Sequence, residues 1–167
     1  MKTAIILISE AGLSIAQSLL NELPDSEIFT LRHEEGCTHI ESAGKFTAEN
    51  FNRYDAFVFI GAMGICVRTI APCVKNKYTD PAVVCVDSTG KFAISVLSGH
   101  IGGANELTHQ VANILGAEPV VTTQSDCTGL WGLDTNVSDG FRSSTPSPPP
   151  SCWQNLPRRP KRKKEYA

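Results

Sequence analysis

The sequence predicts a three-layer α/β fold, in which helices cover both faces of a mostly parallel sheet. Continuous apolar, β-branched runs, typical of strands buried on both faces, occur at 3–9, 55–62 and 82–87. Segments with apolar residues at helical spacing lie between several of these runs, as in βαβ units. The composition, 41% hydrophobic and 19% charged over 167 residues, is that of one globular domain, with or without a tail.

The first half of the chain begins with a predicted βαβ unit. A strand at 3–9 precedes a helix that Pro24 ends, and a short strand follows at 27–31. The apolar face of this helix consists of Leu13, Ala16, Leu19, Leu20 and Leu23. After a polar stretch, 47–53 is predicted as a short helix at best.

The second half adds a hairpin and a further helix. The strand at 55–62 runs through the turn "GAMG" into a helical segment from Ile65 to Ile70. "AVVCVD" and "FAISVLS" flank the turn "STGK", which predicts one antiparallel pair in the sheet. A helix begins near Gly102 and ends at Gly116, and a last strand is predicted at 118–124. The prediction is therefore six strands and three well-defined helices.

The apolar periodicity ends at about Thr135. A Ser/Pro cluster at 143–151 and a basic run at 158–164 follow, so we predict a domain at 1–135 and a disordered tail at 136–167. Of the net charge of −2, the tail carries +5 and the preceding residues −7. The basic run is interpreted as a solvated tail; the alternative, nucleic-acid binding, requires an affinity that falls steeply with salt.

Cysteine and histidine spacing argues against disulfides and a resident metal. The six cysteines form no CxxC pair, which indicates free thiols in a reducing cytoplasm. The four histidines include no HxxxH, and "HEEGCTH" at 33–39 matches no standard zinc set. The N-terminal apolar run is too short for a signal peptide, and no stretch is long enough to span a membrane.

Two strand-to-helix turns, at 61–64 and 98–106, concentrate the glycines. In an open α/β sheet, ligands bind outside the carboxyl ends of the strands, and free N–H groups at a helix start attract carboxylates or phosphates. Alternatively, the glycines supply only positive φ or close packing. Neither turn contains GxGxxG or GxxxxGK[ST], so a nucleotide site is not indicated.

Three side chains near these turns are candidates for chemistry. His100 and Glu106 could act as general acid or base, although Glu106 also suits the first turn of a helix. Arg68 lies in a largely apolar helical segment, where it either reaches an anion or only extends its head group to solvent. A Ser98–His100 nucleophile pair is not indicated, because "LSGHI" is no GxSxG elbow.

Long motifs in these turns resemble a known family. "FIGAMGICVRTIAP" at 59–72 and "LSGHIGGAN" at 97–105 occur in the order seen in the CbiG family, the cobalt-precorrin-5A hydrolases of oxygen-independent cobalamin biosynthesis. The resemblance covers about residues 1–135. It implies a cytoplasmic hydrolase that opens the ring A δ-lactone of a cobalt-corrinoid substrate and releases acetaldehyde. The cobalt would be carried by the substrate, so no protein cofactor is expected.

The resemblance gives the candidate residues expected roles. His100 and Glu106 are predicted as the base that activates water, and Asn105, with loop N–H groups, as donors to the developing oxyanion. The substrate's carboxylates would be bound by Arg68 and the helix N-termini. The predicted substrate-binding residues are Gly61, Met63, Gly64, Arg68, Ser98, Gly99, Gly102 and Gly103.

One departure from the family concerns the end of the chain. Family members continue past "TTQSDCTGLWGLDT" into a further segment and a C-terminal domain, so the sequence predicts a truncated form. Two alternatives stay open. The chain is a hydrolase, with a second chain supplying the missing domain, or it is a non-catalytic remnant that binds corrinoids at most.

Overall fold

The computed structural model describes residues 1–123, which form one compact unit. A seven-stranded sheet lies between two pairs of helices, which confirms the three-layer, mostly parallel α/β fold. The strands are β1 (Thr3–Leu7), β2 (Ser26–Thr30), β3 (Thr38–His39), β4 (Ala56–Ile60), β5 (Ala82–Val86), β6 (Phe92–Leu97) and β7 (Glu118–Val120). The helices are α1 (Leu13–Glu22), α2 (Ala43–Asn50), α3 (Met63–Ile70) and α4 (Ala104–Leu115), with one 3₁₀ turn at Glu10–Gly12. The predicted boundary at 135 and the predicted disorder of 136–167 lie outside the described residues.

The strand order is β3-β2-β1-β4-β5-β6-β7. Neighbouring strands are parallel except β5 and β6, which confirms the predicted hairpin. The chain builds outward from β1 to β3 and then returns to place β4 on the other side of β1. This reversal between β1 and β4 is the topological switch point of a doubly wound sheet.

Each face of the sheet has its own apolar core. On one face α1 and α4 pack through Leu19, Leu107 and Val111 against alternate side chains of the central strands. On the other face α2 and α3 cover the remaining side chains, together with an aromatic group that includes Phe29, Phe57 and Phe59. Strands β1, β4 and β5 are buried at every position. Each therefore appears in the sequence as an unbroken apolar run, from which the strand could be predicted.

Three elements differ most from the predictions: α2, β3 and β7, of which β7 ends at Val120 and not at 124. The helix expected at 47–53 is α2, Ala43–Asn50, and it begins earlier because the Ser42 side chain accepts a hydrogen bond from the Lys45 amide at 3.4 Å. β3 was not predicted, because its two residues are polar, exposed and pair with β2 at the edge of the sheet. No helix within residues 1–123 combines the length and the apolar composition that crossing a bilayer requires.

The turn between β5 and β6 is held by Asp87. Its carboxylate accepts hydrogen bonds from the backbone amides of Phe92, at 2.7 Å, and Thr89, at 3.0 Å, and from the Thr89 hydroxyl. Burial acts to raise the pKa of Asp87, but these hydrogen bonds outweigh it and hold the pKa below its ordinary value. The ionised side chain therefore stabilises the hairpin.

We expect Asp87→Asn to lower the free energy of unfolding by about 1 kcal/mol at neutral pH, because amide acceptors are weaker than carboxylate acceptors. Since the folded-state pKa lies below the ordinary value of 3.8, the stabilisation is present above that pH and is lost as the pH falls through the folded-state value. Urea unfolding of both proteins at pH 7 and pH 3 measures the difference. A gap that stays constant over this range would contradict the role of the charge.

Candidate functional site

The two glycine turns lie at opposite ends of the sheet along the direction of its strands. The Gly61–Gly64 turn follows the carboxyl end of β4, whereas the loop at 98–103 follows β6. Because β6 is antiparallel to β5, its last residue, Leu97, pairs with Val83 near the start of β5. We call the end of the sheet at which β1, β4 and β5 finish the carboxyl edge, and the opposite end, at which these strands begin, the amino edge. A five-residue strand separates them by about 16 Å, so the two turns do not meet at the carboxyl ends of β1, β4 and β5, where ligands were expected to bind.

At the amino edge, the loop at 98–103 closes on the first turn of α4. The Ala104 amide donates to the Ser98 carbonyl at 3.1 Å, and the Asn105 amide donates to the Gly99 carbonyl at 3.0 Å. The Gly103 amide donates to the His100 carbonyl at 3.1 Å. These three amides are thus used inside the loop, and in this conformation they do not bind the carboxylate expected at the start of this helix.

The loop is compact because two of its glycines meet other atoms closely. A Cβ on Gly102 would lie 2.5 Å from the Ser98 Cβ and 2.9 Å from the Ser98 carbonyl oxygen. A Cβ on Gly99 would lie 2.7 Å from the Asn105 Oδ1. Ser98 itself has a φ of 59°, and its hydroxyl donates to the Asp80 carbonyl at 2.9 Å. Close packing, one of the alternatives left open by the sequence, therefore accounts for Gly99 and Gly102.

Asn105 is buried beneath this loop. Its Oδ1 accepts a hydrogen bond from the Ser95 hydroxyl at 2.7 Å, and its Nδ2 donates to the Thr123 hydroxyl at 3.0 Å. Ser95 and Thr123 were not among the predicted site residues. The one sequence signal for Ser95 is a serine within the apolar strand "FAISVL", a polar residue that needs a partner once it is half-buried.

His100 and Glu106 flank Asn105 on the same edge. His100 is half-buried in the loop, and Glu106 is exposed in the first turn of α4, where it accepts a hydrogen bond from Gln110 Nε2 at 3.4 Å. This position of Glu106 agrees with the alternative of a carboxylate that stabilises the helix start. The acid or base role of either side chain stays a prediction.

At the carboxyl edge, the Gly61–Gly64 turn lies at the switch point between β1 and β4. Gly61 has a φ of 152°, and a Cβ there would lie 2.9 Å from the Ile8 Cβ, so the turn packs on the segment that follows β1. The amides of Ile65 and Cys66 donate to the Ala62 carbonyl, whereas those of Met63 and Gly64 find no acceptor within residues 1–123. This helix start, unlike that of α4, is open to a ligand.

Arg68 lies in the last turn of α3 and is exposed. Within residues 1–123 its guanidinium forms no ion pair. Exposed apolar side chains, Ile65 and Val67, stand beside it at 43% and 46% exposure. Both interpretations from the sequence, binding of an anion and simple exposure to solvent, are compatible with this position.

A shallow groove of about 230 Å³ lies between α1, α4 and the β5–β6 turn. Its lining contains no titratable side chain and none of the predicted site residues. The lining residues are Ser14, Ile15, Ser18, Thr89, Gly90, Ile114 and Leu115. A groove without an acid, a base or a charged side chain has no group that could catalyse a reaction. The carboxyl edge and the amino edge therefore remain the candidate sites.

Metal binding has no support in the part of the chain that the structure describes. Residues 1–123 contain no group of three or more His, Cys, Asp or Glu side chains that could hold a metal ion. His33 and His39, from the segment considered for zinc, stack their rings at 4.1 Å. The neighbouring Cys85 thiol and burial raise the pKa of the Cys66 thiol, and the Cys85 Sγ donates to the Gly61 carbonyl at 3.6 Å.

Comparison with known proteins finds one family. Residues 45–126 match the family model described as "Cobalamin synthesis G N-terminal". The chain is 44% identical over 135 residues to the cobalt-precorrin-5A hydrolase of Salmonella typhimurium, covering 79% of this chain and 38% of that protein. It is 41% identical over 131 residues to the enzyme of the same name from Priestia megaterium, covering 74% and 35%.

A solved structure shows the same similarity. A cobalamin biosynthesis protein G homolog from Sulfolobus solfataricus superposes with a TM-score of 0.56 and 30% sequence identity, covering 72% of this chain and 36% of that chain. The present chain thus spans less than two fifths of the length of the curated relatives it matches.

Proposed function

Because residues 45–126 of this chain belong to the cobalamin synthesis G N-terminal family, we propose that it acts in cobalamin biosynthesis, as a cytoplasmic hydrolase that opens the ring A δ-lactone of cobalt-precorrin-5A and releases acetaldehyde. The observation that carries this proposal is the 44% identity over 135 residues to a cobalt-precorrin-5A hydrolase. The matched stretch includes both glycine turns and every candidate side chain. The cobalt is part of the substrate and needs no ligand from the protein.

Lactone hydrolysis needs a base that activates water and donors that stabilise the oxyanion. We propose His100 as the base, because an imidazole nitrogen can accept a proton from water and this ring lies half-buried in a glycine-rich loop. Glu106 is the second candidate on the same edge. The substrate would approach over Ser98, Gly99, Gly102 and Gly103, where small residues let a flat macrocycle come close to the backbone.

The carboxyl edge has a different proposed role. The open amides of Met63 and Gly64 at the start of α3, and the exposed Arg68 in its last turn, would bind carboxylates of the substrate. This edge lies a strand's length from His100. The substrate part held there would therefore be remote from the lactone, or the ligand would be a separate anion. The residues that would hold it are Gly61, Met63, Gly64 and Arg68. This separation makes the two groups of residues independent in their effects.

The proposal is tested by incubating the purified chain with cobalt-precorrin-5A under anaerobic conditions. Acetaldehyde, trapped as a hydrazone and measured by chromatography, should accumulate in proportion to enzyme concentration. Heat-denatured protein is the control. Absence of acetaldehyde in the presence of tight substrate binding would reject hydrolysis by this chain.

A second candidate, a corrinoid-binding module without activity of its own, is favoured by one observation. The chain covers only 38% and 35% of the two hydrolases it resembles, so the rest of those proteins could supply part of the site. This candidate predicts a change in the corrinoid absorption spectrum on binding without release of acetaldehyde. Release that begins only when a second chain supplies the remaining part of a relative would support a divided site.

We expect Arg68→Ala to weaken substrate binding by about 10-fold or more, because it removes a charge-assisted contact to a carboxylate. The exposed position of Arg68 predicts that the fold is unaffected. Titration of the substrate into both proteins measures the affinity. Arg68→Lys keeps the charge and should lose less affinity, since it lacks only the bidentate geometry. If Arg68→Ala lowers the thermal midpoint strongly, the arginine serves the fold instead.

A further inference from the structure

The Asn105 side chain joins three segments of the amino edge. It connects β6, through the Ser95 hydroxyl at 2.7 Å, to the residues after β7, through the Thr123 hydroxyl at 3.0 Å. Its backbone amide adds a bond to the Gly99 carbonyl at 3.0 Å. Only 8% of Asn105 is exposed, so these hydrogen bonds compensate for burying a polar carboxamide.

The same carboxamide supports the loop from below. Its Oδ1 would lie 2.7 Å from a Cβ on Gly99, so the Gly99 backbone packs directly on the Asn105 side chain. Gly99 immediately precedes His100. The position of the carboxamide therefore determines where the chain passes as it enters His100.

We propose that Asn105 is a positioning residue: the hydrogen-bonded chain Ser95–Asn105–Thr123 fixes the loop at 98–103 and thereby the direction in which His100 leaves the backbone. This differs from the role expected from the sequence, in which Asn105 donates to an oxyanion. The carboxamide uses both its oxygen and its nitrogen within the protein. The expected effect of Asn105 on catalysis rests on the proposed function. Its effect on the conformation of the loop does not.

Three backbone amides report on the loop directly. Those of Gly103, Ala104 and Asn105 donate to loop carbonyls, so their hydrogen-exchange rates measure how often the loop opens. The Ala117 amide, which donates to the Ala112 carbonyl at 2.9 Å, lies past the far end of α4 and serves as the reference.

The test compares Ser95→Ala with Ser95→Thr in the full chain by NMR-detected hydrogen exchange. Ser95→Ala removes the hydroxyl that holds Oδ1, so exchange at 103–105 should accelerate by about fivefold, the effect of one lost hydrogen bond. The Ala117 rate should stay unchanged. Ser95→Thr keeps the hydroxyl and should keep the slow rates. Thr123→Val and Thr123→Ser form the equivalent pair for Nδ2.

Two results would overturn the proposal. Unchanged exchange at 103–105 in both Ser95→Ala and Thr123→Val would show that the chain does not hold the loop. Equal acceleration at Ala117 would show a general loss of stability. If the wild-type chain releases acetaldehyde, Ser95→Ala should also lower kcat with KM largely unchanged, and Ser95→Thr should restore it. If it releases none, the proposed function fails, while the exchange rates still decide the positioning role.

Discussion

Replacing His100 by glutamine is expected to lower kcat for acetaldehyde release by about 100- to 10,000-fold, the usual contribution of a general base. Glutamine keeps a polar side chain of similar reach but cannot accept a proton at neutral pH. Because the loop is closed by backbone bonds of Ser98, Gly99 and Gly103, the substitution should leave its conformation and the substrate affinity nearly intact. Steady-state kinetics with cobalt-precorrin-5A, trapping acetaldehyde, measures the change.

Glu106→Gln is the matched comparison for this experiment. If Glu106 only stabilises the start of α4, its replacement should leave kcat within about threefold and lower the free energy of unfolding by at most about 1 kcal/mol. A reversed pattern, with Glu106→Gln inactive and His100→Gln active, would transfer the role of base to Glu106. Unchanged kcat in both variants would remove the amino edge from the chemistry altogether.

The fold was predictable from the sequence wherever the burial of a segment is uniform. β1, β4 and β5 are buried on both faces and appear as unbroken apolar runs. Gly116, with a φ of 65°, ends α4 where the pattern predicts. β3 could not be predicted in this way, because two exposed polar residues carry neither periodicity nor apolar content.

The geometry of the site depended on a feature that local patterns do not encode. The hairpin between β5 and β6 was predicted. Because of it, β6 and β7 run in the direction opposite to β1, β4 and β5. The turn after β6 therefore opens at the amino edge, although it has the same strand–glycine–helix appearance as the turn after β4. Local sequence shows the type of turn, whereas the edge on which it opens follows from the direction of each strand.

The half-buried hydroxyls that hold Asn105 escaped prediction for a related reason. Ser95 and Thr123 are separated by 28 positions and meet only through Asn105. A hydroxyl in a strand gives no indication of its partner until the topology is known. The candidate side chains were thus identifiable by residue type, but the network that positions them required the three-dimensional structure.

The closing of the amino-edge loop predicts a large effect for a single added methyl group. We expect Gly102→Ala to lower the free energy of unfolding by about 1–3 kcal/mol, because its Cβ would lie 2.5 Å from the Ser98 Cβ and 2.9 Å from the Ser98 carbonyl oxygen. The backbone atoms in this contact cannot rotate away, so the loop must shift. Urea unfolding measures the loss, and acetaldehyde release should fall with it because His100 moves with the loop.

Substitutions at two other glycines are controls that separate this steric clash from backbone strain and from helix propensity. A Cβ on Gly103 meets nothing within 4 Å, but its φ is 82°, so Gly103→Ala should cost only the backbone strain of about 1 kcal/mol. Gly64 has equal space and lies within α3, so Gly64→Ala should be neutral or stabilising by up to about 1 kcal/mol. Equal losses for Gly102→Ala and Gly103→Ala, with full activity in both, would mean that the loop tolerates displacement and that the placement of His100 does not depend on it.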